Sequence, residues 1–113
     1  MLYLKFVTDW FIPKRFGAVT IAFIILIRPK YKNDIGLFEH EKVHVHQFWR
    51  SLGLFGLMYR FSKKKRLQYE VEAYRKQLEY ETNKKASKKI FADFIANNYN
   101  LNITSKEALK LLD

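Results

Sequence analysis

A chain of 113 residues, 49% of them hydrophobic, is long enough for one small core and too apolar for a disordered segment. Without cysteine it has neither a disulfide framework nor a thiolate metal site, so any metal has to be held by histidine and carboxylate. A net charge of +10 favours acidic partners such as nucleic acid, anionic lipid or an acidic protein, without choosing among them.

In chain order, Leu2 to Val7 alternates loosely with β-favouring residues and predicts a short strand. Asp9 to Phe16, with Pro13 and two basic residues, reads as a turn or irregular link before Gly17. Ala18 to Ile27 is a run of aliphatic and β-branched residues closed by Arg28 and Pro29. It is too short to cross a bilayer and lacks the charged leader of a signal peptide, which leaves a buried strand pairing with the first. Lys30 to Gly36 is polar, and Asn33-Asp34 marks the start of a helix expected from about Leu37 to Arg50.

Gly53 and Gly56 interrupt the apolar stretch Leu52 to Phe61, which reads as a short helix or a packed loop and is a candidate for peripheral membrane contact. The basic run Lys63 to Arg66 is expected to be a solvated link. A second helix, about Arg66 to Thr82, carries the stripe Leu67, Val71, Tyr74 and Leu78. After a second basic stretch, Lys84 to Lys89, the residues Ile90, Phe91, Phe94 and Ile95 predict a third helix ending near Asn97-Asn98. Thr104 with Glu107 has the spacing of a capping box that opens a last short helix carrying Leu109, Leu111 and Leu112. No linker divides the chain, so 1–113 is expected to form one α+β domain: a short antiparallel strand pair followed by a helical core.

The motif that organises the chain is His40-Glu41-Lys42-Val43-His44, an HExxH sequence. On a helix turning about 100° per residue, His40 and His44 fall one above the other and can share one metal ion. Glu41, beside them, can reach a water without ligating the metal, the position of a general base. Tetrahedral zinc needs a further protein ligand, and two carboxylates of the second helix compete for the role. Glu70 follows Leu67 by three residues and precedes Tyr74 by four, on the edge of the buried face, whereas Glu72 projects toward solvent. Glu70 is therefore the expected ligand and Glu72 the fallback. Gln47 lies one turn beyond His44 on the same face and could support a ligand or bind a substrate backbone. His46 is about 200° from His44 around the axis and is expected on the surface or in packing.

The segment Glu70-Val71-Glu72-Ala73-Tyr74-Arg75 downstream of His40 to Gln47 resembles the glutamate helix of gluzincin-type zinc metallopeptidases, the minigluzincins among them. With the Gly17 to Arg28 strand ahead of it, the layout is also similar to that of small phage and bacterial proteins. The resemblance covers roughly residues 17 to 80 and implies a zincin-like domain. It further implies Zn2+ on His40, His44 and Glu70, Glu41 as the base that activates water, a peptide or protein substrate, and a strand at the cleft edge that pairs with it. Tyr74 stands where several gluzincin segments have an aspartate, which leaves the support of a histidine ligand unassigned. Tyr69, Tyr74 and Arg75 are the nearby candidates for stabilising an oxyanion. The rival expectation is a basic structural or binding subunit of a larger assembly such as a phage particle, or a nucleic-acid-binding module using Lys63 to Arg66 and Lys84 to Lys89.

Overall fold

The structure, a computed structural model, describes residues 1–113. Three strands, β1 (Leu4–Val7), β2 (Ala18–Ile21) and β3 (Ile24–Ile27), precede five helices: α1 (Ile35–Arg50), α2 (Phe55–Phe61), α3 (Lys63–Leu78), α4 (Lys84–Asn98) and α5 (Ser105–Leu112). The fold class is α+β, as expected. No helix is long and apolar enough to cross a membrane.

The sheet differs from the expected antiparallel pair. The apolar run Ala18 to Ile27 is two strands, which turn through Ala22 and Phe23 and pair antiparallel from Ala18↔Ile27 to Ile21↔Ile24. The reversal occurs without a turn-favouring residue: Ala22 itself takes the left-handed conformation, at φ 56°. Strand β1 pairs with β3 in parallel, Leu4↔Ile24 to Val7↔Ile27, giving the order β1-β3-β2. The apolar β3 is thus central, with Ile25 and Ile27 fully buried, and β2 is left as a free edge. Arg28 fixes the link between β1 and β2 by donating to the carbonyls of Ile12, Pro13 and Phe16 and to the Asp9 carboxylate.

The helices begin where local chemistry starts them. The Asp34 carboxylate accepts from the Leu37 amide at 3.0 Å and opens α1 two residues earlier than the periodicity indicated. The run Lys63 to Arg66 is the first turn of α3, not a link, because the Ser62 hydroxyl caps it by accepting from the Lys65 amide. That helix stops at Leu78, short of Thr82, and Lys84 covers its end by donating to the carbonyls of Leu78 and Glu79. Asn83 caps α4 at Lys84, so the second basic stretch also lies on a helix. Thr104 and Glu107 form the expected reciprocal capping box at α5.

Two packing systems share α3. Its stripe of Leu67, Val71, Tyr74 and Leu78 meets Phe91, Ala92 and Ile95 of α4 and Ala108 and Leu112 of α5. Its other side runs antiparallel to α1, with Gly36 against Gln77 and Tyr80 at one end and Gln47 against Tyr69 at the other. A Cβ at Gly36 would lie 3.3 Å from Gln77 Cγ, so glycine permits this close approach.

Candidate metal centre

The seam between α1 and α3 is polar where a seam of this depth is ordinarily apolar. His40, Glu41, His44, Gln47 and Glu70 are all at most 5% exposed. His40 and His44 face one side of α1, and Glu70 meets them from α3, with His40 Nε2 3.4 Å from Oε1 and His44 Nε2 3.3 Å from Oε2. Charge-assisted N–H···O bonds run about 2.7–2.9 Å. Ligand atoms around a tetrahedral ion, with bonds of about 2.0–2.1 Å, lie roughly 3.3–3.4 Å apart. The two histidines face different oxygens of Glu70, each at a separation longer than a direct charge-assisted hydrogen bond and within the range that leaves room for an ion. One candidate ligand atom from each of the three residues lies within 4.8 Å of the others, so the group can hold a metal ion.

Two buried polar atoms here have no hydrogen-bond partner, Glu70 Oε1 and His40 Nδ1. An orphaned carboxylate oxygen facing an imidazole nitrogen is a costly arrangement that a cation relieves. The same conclusion follows from the tautomer of His44. Gln47 Nε2 donates to the Tyr69 carbonyl at 3.0 Å and to Glu72 Oε1 at 2.8 Å, which leaves Gln47 Oε1 as an acceptor facing His44 Nδ1 at 2.8 Å. His44 therefore carries a proton on Nδ1, and its Nε2 lone pair points at Glu70. Either a proton or a metal ion has to stand between them. With a proton there, burial lowers the His44 pKa but the Glu70 carboxylate outweighs it, pushing the value up to about 9. Burial likewise works against charge on Glu70, and the two imidazoles, His44 foremost, hold it well below the usual carboxylate range.

Glu41 points into the same cleft without joining the triad. The Thr20 hydroxyl of β2 donates to Oε1 at 2.7 Å, and Oε2 stands 3.8 Å from His40 Nε2. The cleft, of about 350 Å3, opens between β2 and α2 and is lined by Thr20, Ile21, Phe55, Tyr59 and Tyr99 beside the polar group. Tyr59 donates to Glu70 Oε2 at 2.5 Å. Burial, with Glu70 beside it, pushes the Tyr59 phenol far above its ordinary pKa, so it remains a donor.

Sequence reasoning missed Thr20 and Tyr59. Thr20 had a signal, as the one polar side chain in Ala18 to Ile27. Tyr59 had none, since it comes from a separate short helix. Glu72, the fallback ligand, is turned away from the histidines toward Gln47 and Arg50, which donates to it at 2.9 Å. Tyr74 reaches His40 as a ring edge, centroids 4.3 Å apart, while its hydroxyl shares a hydrogen bond with Tyr99. Of the other candidates for an oxyanion donor, Tyr69 points its hydroxyl at Met58 Sδ and Arg75 is exposed. His46 is exposed, as its place on the helix indicated. Comparison with models of known families, with curated proteins and with solved structures finds no match to this chain.

Proposed function

We propose that the chain is a zinc-dependent metallopeptidase of the gluzincin type. The observation that supports this reading is the meeting of His40, His44 and Glu70 at one point with Glu41 beside them, at the floor of an open cleft. Two imidazoles and one carboxylate suit zinc among common metals, and three protein ligands leave a tetrahedral position for substrate chemistry. When bound, zinc supplies Lewis acidity, lowering the pKa of water and polarising a carbonyl. In this reading Glu41 takes a proton from the attacking water and returns it to the leaving amine. Thr20 holds Oε1 and leaves Oε2 directed at the site. Tyr59, whose single O–H donates to Glu70 in the free protein, turns it to the carbonyl oxygen as charge develops there. The free edge of β2 lies along the cleft and accepts an extended peptide as a further strand.

The rival reading, a basic structural or binding subunit with a purely structural metal site, draws on the +10 charge. It gives no role to an open cleft or to Glu41. Quenched fluorescent peptides and metal analysis separate the two. The native protein is expected to carry one equivalent of zinc and cleave, while Glu41→Gln keeps the metal and loses about 10²–10⁴ in turnover. Equal turnover by zinc-loaded Glu41→Gln would remove Glu41 as the base, and no cleavage by either would favour the structural subunit.

A further inference from the structure

Helix α2 is apolar on two sides and uses one of them. Phe55 and Tyr59 turn toward the cleft. Leu54, at its N-cap, and Leu57 and Phe61 are spaced i, i+3 and i+7, so they form one stripe about 60° wide on the opposite side. They are 52%, 60% and 76% exposed, and Leu52, held at φ 55° just ahead of the helix, is 91% exposed. Three such side chains on one stripe, with a fourth just ahead of it in the chain, mark a contact surface, where a single exposed leucine would not.

Along the chain, the charge on either side of this row has one sign. From Lys42 to Tyr69 the chain carries seven Lys or Arg and no Asp or Glu. Lys63, Lys64 and Lys65 follow Phe61 almost directly and are exposed, and their ammonium groups make no ion pair. They occupy the first turn of α3, where the helix dipole disfavours cations. A cluster placed against the dipole and left without counter-charges gains nothing for the isolated fold. Arg66 is different: its guanidinium donates to the carbonyls of Tyr59, Tyr99 and Asn100 and is structural.

We propose that this face docks on an anionic membrane surface, with Leu52, Leu54, Leu57 and Phe61 entering the headgroup boundary and Lys63 to Lys65 lying on lipid phosphates. An apolar stripe bordered by cations on a short helix is the pattern of an interfacial helix, and anionic lipid supplies both the apolar phase and the negative charge. Nucleic acid supplies only the second. Binding to single strands relies on aromatic side chains on which bases stack, whereas three of these four are leucines. Phe55 and Gly56 of the same helix line the cleft, so the helix that docks is also one wall of the cleft. None of this depends on a bound metal.

The test uses the full chain with vesicles of phosphatidylcholine alone or of phosphatidylcholine mixed with phosphatidylglycerol, the latter carrying the negative surface potential of an anionic leaflet. Flotation is expected with the anionic vesicles only and should weaken as salt rises. Leu57→Glu with Phe61→Glu should lower the partition coefficient by roughly tenfold or more, and Lys63→Ser with Lys64→Ser and Lys65→Ser should do likewise. Because the chain has no cysteine, Leu57→Cys and Thr82→Cys can each carry an environment-sensitive dye, which tests the geometry without a charge change. A blue shift at position 57 and none at 82 on adding anionic vesicles is expected. The proposal is overturned by no flotation, by equal shifts at both positions, or by burial of the position 57 dye in a dimer formed without lipid. Salt-sensitive DNA or RNA binding that survives Leu57→Glu with Phe61→Glu, in a protein that ignores vesicles, would assign the face to nucleic acid instead.

Discussion

The two sides of α3 hold the molecule together by opposite means. Toward α4 and α5 it presents Tyr74 and Leu78 to Phe91, Ala92, Ile95 and Leu112, an apolar cluster whose burial stabilises the fold with no help from solution. Toward α1 it presents Glu70 to two histidines, an arrangement that desolvates a carboxylate and two imidazoles and leaves Glu70 Oε1 without a partner. Buried ionic groups of this kind contribute little net stability and are often less favourable than apolar residues of equal volume. The difference teaches that the C-terminal helices provide the stability that permits a costly polar seam to persist on the other side of the same helix. Helix α3 is thereby both carrier of a candidate ligand and core element, and a defect on one face should be separable from a defect on the other.

The largest expected effect lies on the apolar side. Ile95 is fully buried, and Ile95→Ala should cost about 2–5 kcal/mol of unfolding free energy in chemical denaturation. The remaining folded protein should still bind metal with native affinity. Loss of metal affinity in proportion to stability would mean that the two faces are not independent.

The next effect belongs to the polar side alone. Gln47 fixes the tautomer of His44 and is itself held by Glu72 and the Tyr69 carbonyl, so Gln47→Leu should weaken metal binding by about 10–100-fold in competition titrations. The denaturation midpoint of the metal-free protein should change far less than with Ile95→Ala. Replacing Tyr59 with Phe removes one donor to Glu70 and is expected to be milder, about 1 kcal/mol in metal affinity by the same titration.

The pH dependence sharpens the contrast further, because proton and metal compete for His44 Nε2. In the metal-free protein the His44 pKa is raised from 6.5 to about 9, so the stability it contributes is complete below pH 6.5 and is lost as pH rises through 9. Glu70 has the opposite sign: its pKa is depressed, so its contribution is present above the ordinary carboxylate range and is lost as pH falls into strong acid. Metal binding requires the neutral imidazole, so the stabilisation conferred by metal should grow over the same rise from pH 6.5 to 9. Thermal melts with and without chelator should therefore diverge with increasing pH. Parallel curves would place the metal, if any, elsewhere.

The legibility of these two sides in the sequence follows the same division. Helical spacing alone places His40, His44 and Gln47 on one face of α1, and the stripe from Leu67 to Leu78 orients α3 well enough to favour Glu70 over Glu72. Groups that approach from other elements carry no such period. Tyr59 reaches Glu70 from a seven-residue helix, and Thr20 reaches Glu41 from a strand edge. The hairpin was hidden because Ala22 makes the turn with none of the Gly, Asn or Asp that would announce it. The start of α3 was read too late because a run of lysines looks like a solvated link, whereas the Ser62 cap draws it into the helix.

The most direct measurement is zinc titration of the purified protein beside His44→Ala, Glu70→Ala and Glu72→Ala. Convergence of His40, His44 and Glu70 on one ion predicts one equivalent in the native protein, loss of that site in His44→Ala and Glu70→Ala, and its retention with modest weakening in Glu72→Ala. Tight stoichiometric binding that survives Glu70→Ala and disappears with Glu72→Ala would contradict it.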